Sequence, residues 1–399
     1  MMRLLALALC LFVLSPAYAT DEDKTPKISP WLYKKLTQTE KLIAKKSYPK
    51  AEQKLQAILA DVKDKSYEQA TVLRSLSSVY ALKAQYKKSA ATLSKAINLG
   101  VLPKAQMQQA ILSLGQLYMA TEQYSQAIQT LEPWLAKNST ADPQINALVA
   151  NAYAQLKKYR KALPYIKKAI KTAKKPEESW YQLNLALYYE LENYPAAEKI
   201  LTTLIRLYPD KKDYWGQLAS IYQQTKQYQK AVSVKHLAYK KGFISNEKDI
   251  LALANLLLYV GTPYKAAKLL ALEIDQKRIK SNSKNWESLA QAWRTAKEFE
   301  YAIKALETAS KLNDKGHLYQ QLGQIYVAQE KWTAAITALN KAISKGGLKN
   351  AGATYLLLGM SYYEQNNLSN AKRAFSKSAQ FSKHKKTAMQ WLDYIKESK

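Results

Sequence analysis

The chain has 399 residues and one cysteine, and its 61 lysines and arginines against 31 aspartates and glutamates give a formal net charge of +30. A single cysteine excludes an intrachain disulfide and a thiolate metal centre, and such a positive excess points to acidic or otherwise anionic partners. At this length packing alone can supply the stability.

Residues 1–19 read as a secretory signal peptide: Arg3 is the positive start, Leu4–Leu14 the apolar run, and Ala17-Tyr18-Ala19 the small-x-small cleavage pattern. Cys10 lies inside that run, and Leu9 stands where lipid attachment needs a small residue, so cleavage after Ala19 is expected instead. Residues 20–30, acidic and proline-containing, are expected to be a flexible lead-in. No later stretch approaches the ~20 apolar residues of a membrane-spanning helix. Lysine carries almost all the charge, as a hydrated point charge suited to diffuse attraction. In an exported chain that favours acidic proteins, anionic membranes or cell-wall polymers over nucleic acid.

From residue 31 a pattern recurs. An aromatic or leucine is followed three residues later by Ala or Ser, and in most copies by an apolar residue four further on. Copies start at Tyr48, Tyr86, Tyr124, Tyr159, Tyr194, Tyr228, Tyr264, Phe299, Trp332 and Leu368, and their small residues are spaced at 33 to 38 positions. Upstream of each runs a second signature, clearest as Trp215-x-x-Leu218-Ala219-x-x-Tyr222 and Trp286-x-x-Leu289-Ala290-x-x-Trp293. Both spacings place apolar residues on one helical face, and a fixed period of this size signals stacked helical units.

The two signatures together resemble the tetratricopeptide repeat (TPR), W-x-x-L-G-x-x-Y then A-x-x-x-F then P at about 34 residues. The resemblance covers residues 31–382 and implies an all-α TPR solenoid, a right-handed superhelix of helix A/helix B pairs in about ten repeats. Repeat 1 departs from it at Thr39 and Leu42, repeat 5 has Leu185 at the small position, and repeat 7 reads with Asn255 and Leu258 in place of the small residue and Tyr. Residues 383–399, with Met389, Trp391, Leu392 and Ile395 at helical spacing, are expected to form a C-terminal capping helix.

No catalytic constellation is legible. His236, His317 and His384 are scattered, no glycine-rich phosphate loop is present, and no carboxylate pair stands out, so neither enzyme activity nor a metal or other cofactor is expected. Most tyrosines fall on packing positions. The resemblance implies a concave groove lined by helix A. In this register it presents Gln116, Asn151, Gln155, Gln182, Gln217, Gln223, Gln224, Gln291, Gln320 and Gln324, with Tyr189 and Tyr259 as aromatic contacts. Primary amides both donate and accept, which suits the backbone of an extended peptide, although glutamine is also an ordinary helix-surface residue. Lysines gather instead on helix B and loops, where Lys157, Lys158, Arg160, Lys161, Lys167 and Lys168 form a basic outer surface. A chaperone-type carboxylate clamp is not expected, because Leu183 stands where its second Asn belongs.

Leader and wall-to-wall repeats resemble the secreted TPR proteins that accompany TonB–ExbB–ExbD energy-transduction systems. That resemblance implies a periplasmic adaptor whose partner is a protein or extended peptide segment of an envelope complex. The alternative is an outer-membrane or cell-wall assembly factor that meets anionic lipid or polymer through its lysines.

Overall fold

A computed structural model describes residues 26–64, 66–138 and 142–397; the leader, its cleavage site and Cys10 lie outside them. Among the described residues there are twenty-one α-helices and no strand. They divide into two compact units, one ending at Leu207 and the other beginning at Tyr208.

The first unit holds five consecutive antiparallel pairs. They are α1 (Pro30–Ala44) with α2 (Tyr48–Asp61), α3 (Tyr67–Leu82) with α4 (Tyr86–Asn98), α5 (Lys104–Ala120) with α6 (Tyr124–Lys137), α7 (Pro143–Gln155) with α8 (Tyr159–Thr172), and α9 (Glu178–Glu190) with α10 (Tyr194–Leu207). The second holds five more: α11 (Lys212–Gln224) with α12 (Tyr228–Lys240), α13 (Glu247–Tyr259) with α14 (Pro263–Asp275), α15 (Ser283–Thr295) with α16 (Phe299–Leu312), α17 (Gly316–Ala328) with α18 (Trp332–Lys345), and α19 (Ala351–Glu364) with α20 (Leu368–Ala379). A last helix, α21 (Ser382–Glu397), closes it. Within each unit, the first helix of a pair packs on its partner and on the second helix of the pair before.

The turn inside every pair is the same. The third residue beyond the first helix donates its backbone N–H to the carbonyl of the tyrosine position, as in Gln85 to Tyr80 (2.9 Å), Lys158 to Tyr153 (2.9 Å) and Gln227 to Tyr222 (2.7 Å). This closure satisfies a helix-end carbonyl and requires the intervening residue to be left-handed. That residue is Gly261 in the seventh pair and a non-glycine elsewhere, for example Ala84 (φ 58°) and Lys157 (φ 56°).

The helices cross where the small residues lie. Ala51, Ser89, Ala127, Ala162, Ala197, Ala231, Ala302, Ala335 and Ala371 are all fully buried. In the second pair Ser77 Oγ donates to the Ser89 carbonyl (2.9 Å) while Ser89 Oγ donates back to the Ser77 carbonyl (2.8 Å). At Gly323 a Cβ would come within 2.5 Å of Leu339 Cδ2, so glycine is what allows that crossing.

The seventh pair corrects the sequence register by one residue. Its turn bond runs from Thr262 N–H to the Leu257 carbonyl, so Leu257, not Leu258, holds the tyrosine position. Ala254 (1% exposed) and Ala266 (fully buried) are its small residues, whereas Asn255 is exposed. Pro263 opens α14 and, lacking an N–H, suits a first helical position. Tyr264 is 47% exposed rather than packed in the repeat's aromatic slot.

At the ends, Ile28 packs on the first pair's core and Ser29 N–H donates to Glu68 Oε1 (2.6 Å). In α21, Trp391 stacks on Phe375 (centroids 5.3 Å, planes 6° apart) and Ile395 is fully buried, while Met389 is exposed. One carboxylate is wholly inside the second unit. Glu273 of α14 is fully buried, accepts from Tyr239 of α12, and pairs bidentately with Arg278 (2.5 and 2.6 Å). Hydrogen bonds from Arg278 hold its carboxyl below the usual range against the opposing effect of burial.

Candidate interaction surfaces

The amide side chains named from sequence all sit on first helices of pairs. In the first unit Gln116 and Asn151 are half-buried, and Gln155 and Gln182 are exposed. Gln155 Nε2 donates to Asn151 Oδ1 (3.3 Å) and Gln182 Nε2 to Glu178 Oε1 (3.2 Å), each along one helix. Tyr189 is half-buried, edge-on to Tyr194 at 5.8 Å, and burial raises its phenol above the ordinary range.

In the second unit Gln217, Gln223 and Gln224 are exposed on α11. Tyr259 is 68% exposed and meets Tyr228 edge-on at 4.6 Å. Further along, the amides bond across pairs. Arg294 of α15 donates to Gln291 Oε1 (2.6 Å) and to Gln324 Oε1 of α17 (3.3 Å). Gln320 of α17 donates to Thr354 Oγ1 of α19 (2.6 Å) and to the Asn350 carbonyl (3.2 Å). Gln321 donates to Glu287 Oε1 (2.6 Å), with His317 Nε2 3.5 Å from Glu287 Oε2. A ligand there would have to displace bonds that already tie three pairs together. Gln321 escaped sequence reasoning, and His317 was read only as one of three scattered histidines; their spacing with Gln320 and Gln324 on one helix face was the available signal.

The basic set lies on the turn and second helix of the fourth pair. Lys157, Lys158, Arg160, Lys161, Lys167 and Lys168 are all exposed, and none is ion-paired among the described residues. Unpaired ammonium groups keep their full attraction for an incoming anion, screened only by salt. No group of three His, Cys, Asp or Glu that could hold a metal ion occurs among the described residues. No helix among them is long and apolar enough to cross a membrane.

A family profile described as tetratricopeptide repeat matches residues 112–179, 186–234 and 321–382. Those stretches fall in both units, on the paired helices and left-handed turns described above. The matched stretches are tetratricopeptide repeats, and the paired helices have the TPR fold. Among solved structures, a tetratricopeptide repeat protein from Parabacteroides merdae ATCC 43184 is 12% identical, with 71% of this chain and 94% of that one covered and a TM-score of 0.41. MamA protein is 20% identical, covering 44% and 94%, with a TM-score of 0.38. The TPR2AB domain of yeast Sti1, in a complex with pHSP90, is 15% identical, covering 66% and 99%, with a TM-score of 0.36. No curated protein matches the chain.

The fifth repeat departs from the pattern at two neighbouring positions. Asn184 occupies the leucine position and Leu185 the small position, and both are buried. Asn146 of the fourth repeat is likewise buried, and the Oδ1 atoms of Asn146 and Asn184 have no hydrogen-bond partner. Sequence reading noted Leu185 and missed both asparagines, which replace apolar residues at repeat positions.

Proposed function

We propose that this protein is a non-catalytic scaffold that holds an extended segment of a partner protein along its first-helix faces. The observation that carries this reading is the set of exposed carboxamides Gln155, Gln182, Gln217, Gln223 and Gln224. Each can donate to a peptide carbonyl and accept from a peptide N–H, and so read a main chain with little demand on its side chains. The leader pattern supports export, and export with a repeat array supports a periplasmic adaptor of an envelope complex, of the TonB type. A second reading, an outer-membrane or cell-wall assembly factor, is favoured by the six unpaired cations around α8.

Photo-crosslinking from within intact cells tests the choice. A crosslinker at Gln182 or Gln223 should capture a protein segment, whereas one at Lys161 should not. Capture of protein only from Lys161 would overturn the groove reading, and co-sedimentation with envelope polymer from that position would support the second.

A further inference from the structure

Two charges of opposite sign share one face of α15, and neither has a permanently charged partner. Arg294 is half-buried and pairs with no carboxylate among the described residues. Its guanidinium donates instead to two neutral acceptors, Gln291 Oε1 (2.6 Å) and Gln324 Oε1 of α17 (3.3 Å). Those bonds use two of its five N–H donors, and Nε, with no acceptor among the described residues, is open to solvent. Glu287, two turns earlier, is the counterpart. Its Oε1 accepts from Gln321 Nε2 of α17 (2.6 Å), its Oε2 lies 3.5 Å from His317 Nε2, and its side chain is 33% exposed. Lys284, one turn before Glu287, is exposed and pairs with no carboxylate. Apart from His317, α17 and α19 carry no ionic side chain before Glu364.

A counter-ion would have fixed each side chain and cancelled its charge together. A carboxamide fixes the side chain and leaves the charge. Arg294 and Glu287 are thus oriented before any ligand arrives, which lowers the ordering cost of binding. Half-burial without a counter-ion gives the fold little in return, because a charge withdrawn from water costs free energy unless it is paired. This assigns the amides between pairs a role that the sequence did not suggest. Competing for Gln291, Gln321 and Gln324 would break bonds between pairs, whereas pairing with the charges they hold leaves those bonds in place.

Seven residues of helix separate the two charges, a rise of about 10 Å. An extended chain covers that distance in about three residues. We propose that the α15–α17 face selects, within an extended partner segment, an acidic side chain at Arg294 and a basic side chain at Glu287, about three residues apart or closer. Gln291, Gln324 and Gln321 are positioning residues. The inference rests on the reading that first-helix faces hold such a segment, and it adds what that segment must carry.

Selection of a random linear peptide library displayed on phage, against the full-length protein, tests it. The selection is run at high salt, where diffuse attraction to the lysines is screened. The native protein should enrich peptides with Asp or Glu close to Lys or Arg. The basic half of that pattern is diagnostic, because a net charge of +30 repels it at a distance. Arg294→Gln should lose the acidic preference and keep the basic one, and Glu287→Gln the reverse, so the preference retained reports that each variant is folded. A peptide selected on the native protein should bind Arg294→Gln roughly 10- to 100-fold more weakly. Gln291→Ala with Gln324→Ala keeps the guanidinium but releases it, and should weaken the same peptide. A version of that peptide with Gln for its acidic residue should bind this double variant and the native protein alike. Enriched peptides without the charge pattern, or an acidic preference unchanged in Arg294→Gln, would overturn the proposal and leave the scaffold reading standing. If the native protein enriches no peptide at all, the scaffold reading fails and this inference fails with it.

Discussion

Ala84 shows how the repeat turns are made and what they cost. Its φ of 58° is left-handed, a conformation that crowds Cβ against the backbone by about 1–2 kcal/mol. An alanine has no polar side chain to offset the strain. Glycine removes the clash but loses more backbone entropy on folding, by roughly 0.5–1 kcal/mol. Ala84→Gly is therefore expected to stabilise the protein by about 0.5–1 kcal/mol, read as a higher denaturant midpoint with an unchanged slope. A lower midpoint would mean that the turn at Ala84 is not left-handed. These turns were largely invisible in the sequence, because nine of the ten left-handed positions carry Lys, Ala, Glu or Asn instead of glycine. The exception, Gly261, with Pro263 behind it, carried the information needed to place the seventh repeat. Tyr264 pulled the register one residue late because aromatic residues mark the same slot in most other repeats.

At the scale of the helix, the legible part of the fold was its crossings. Small residues three positions into each second helix are all buried, because two backbones can approach closely only where side chains are short. Illegible were the polar bonds that tie one pair to the next, since they join residues some thirty positions apart, such as Arg294 and Gln324. Glu273 is the deepest of these, joining α14 to α12 through Tyr239 and to Arg278. Its folded pKa is depressed, so its contribution to stability is fully present above the ordinary carboxylate pKa. It is lost as pH falls through the depressed folded value. Glu273→Gln should cost roughly 1–3 kcal/mol at neutral pH, since one carbonyl oxygen cannot accept all the bonds that two carboxylate oxygens do. Paired unfolding curves should show the gap between variant and native protein narrowing as the pH drops below the carboxylate range. A gap independent of pH would assign the loss to packing rather than charge.

The basic cluster of the fourth pair and the exposed amides of α11 lie on different helices. The unpaired cations Lys157, Lys158, Arg160 and Lys161 lie on the turn and second helix of one pair, and the exposed amides Gln217, Gln223 and Gln224 lie on a first helix. The two chemistries respond differently to salt. Exposed charges act over roughly 10 Å at 0.1 M salt, and each lysine near an anionic surface contributes about 1 kcal/mol, so their effect fades as salt rises. Hydrogen bonds to a peptide backbone act at contact distance and change little with ionic strength. Neutralising the four cations together should therefore slow or weaken capture of the crosslinked partner mainly at low ionic strength. Replacing Gln217, Gln223 and Gln224 with alanine should weaken it at low and high salt alike and leave the unfolding midpoint nearly unchanged, because surface positions usually stay within about 0.5 kcal/mol. Titrating the partner against both variants at two salt concentrations separates the outcomes. If the glutamine variant binds normally while the four-cation variant loses binding even in high salt, recognition lies on the basic second-helix surface, and the amide face is ordinary solvated helix.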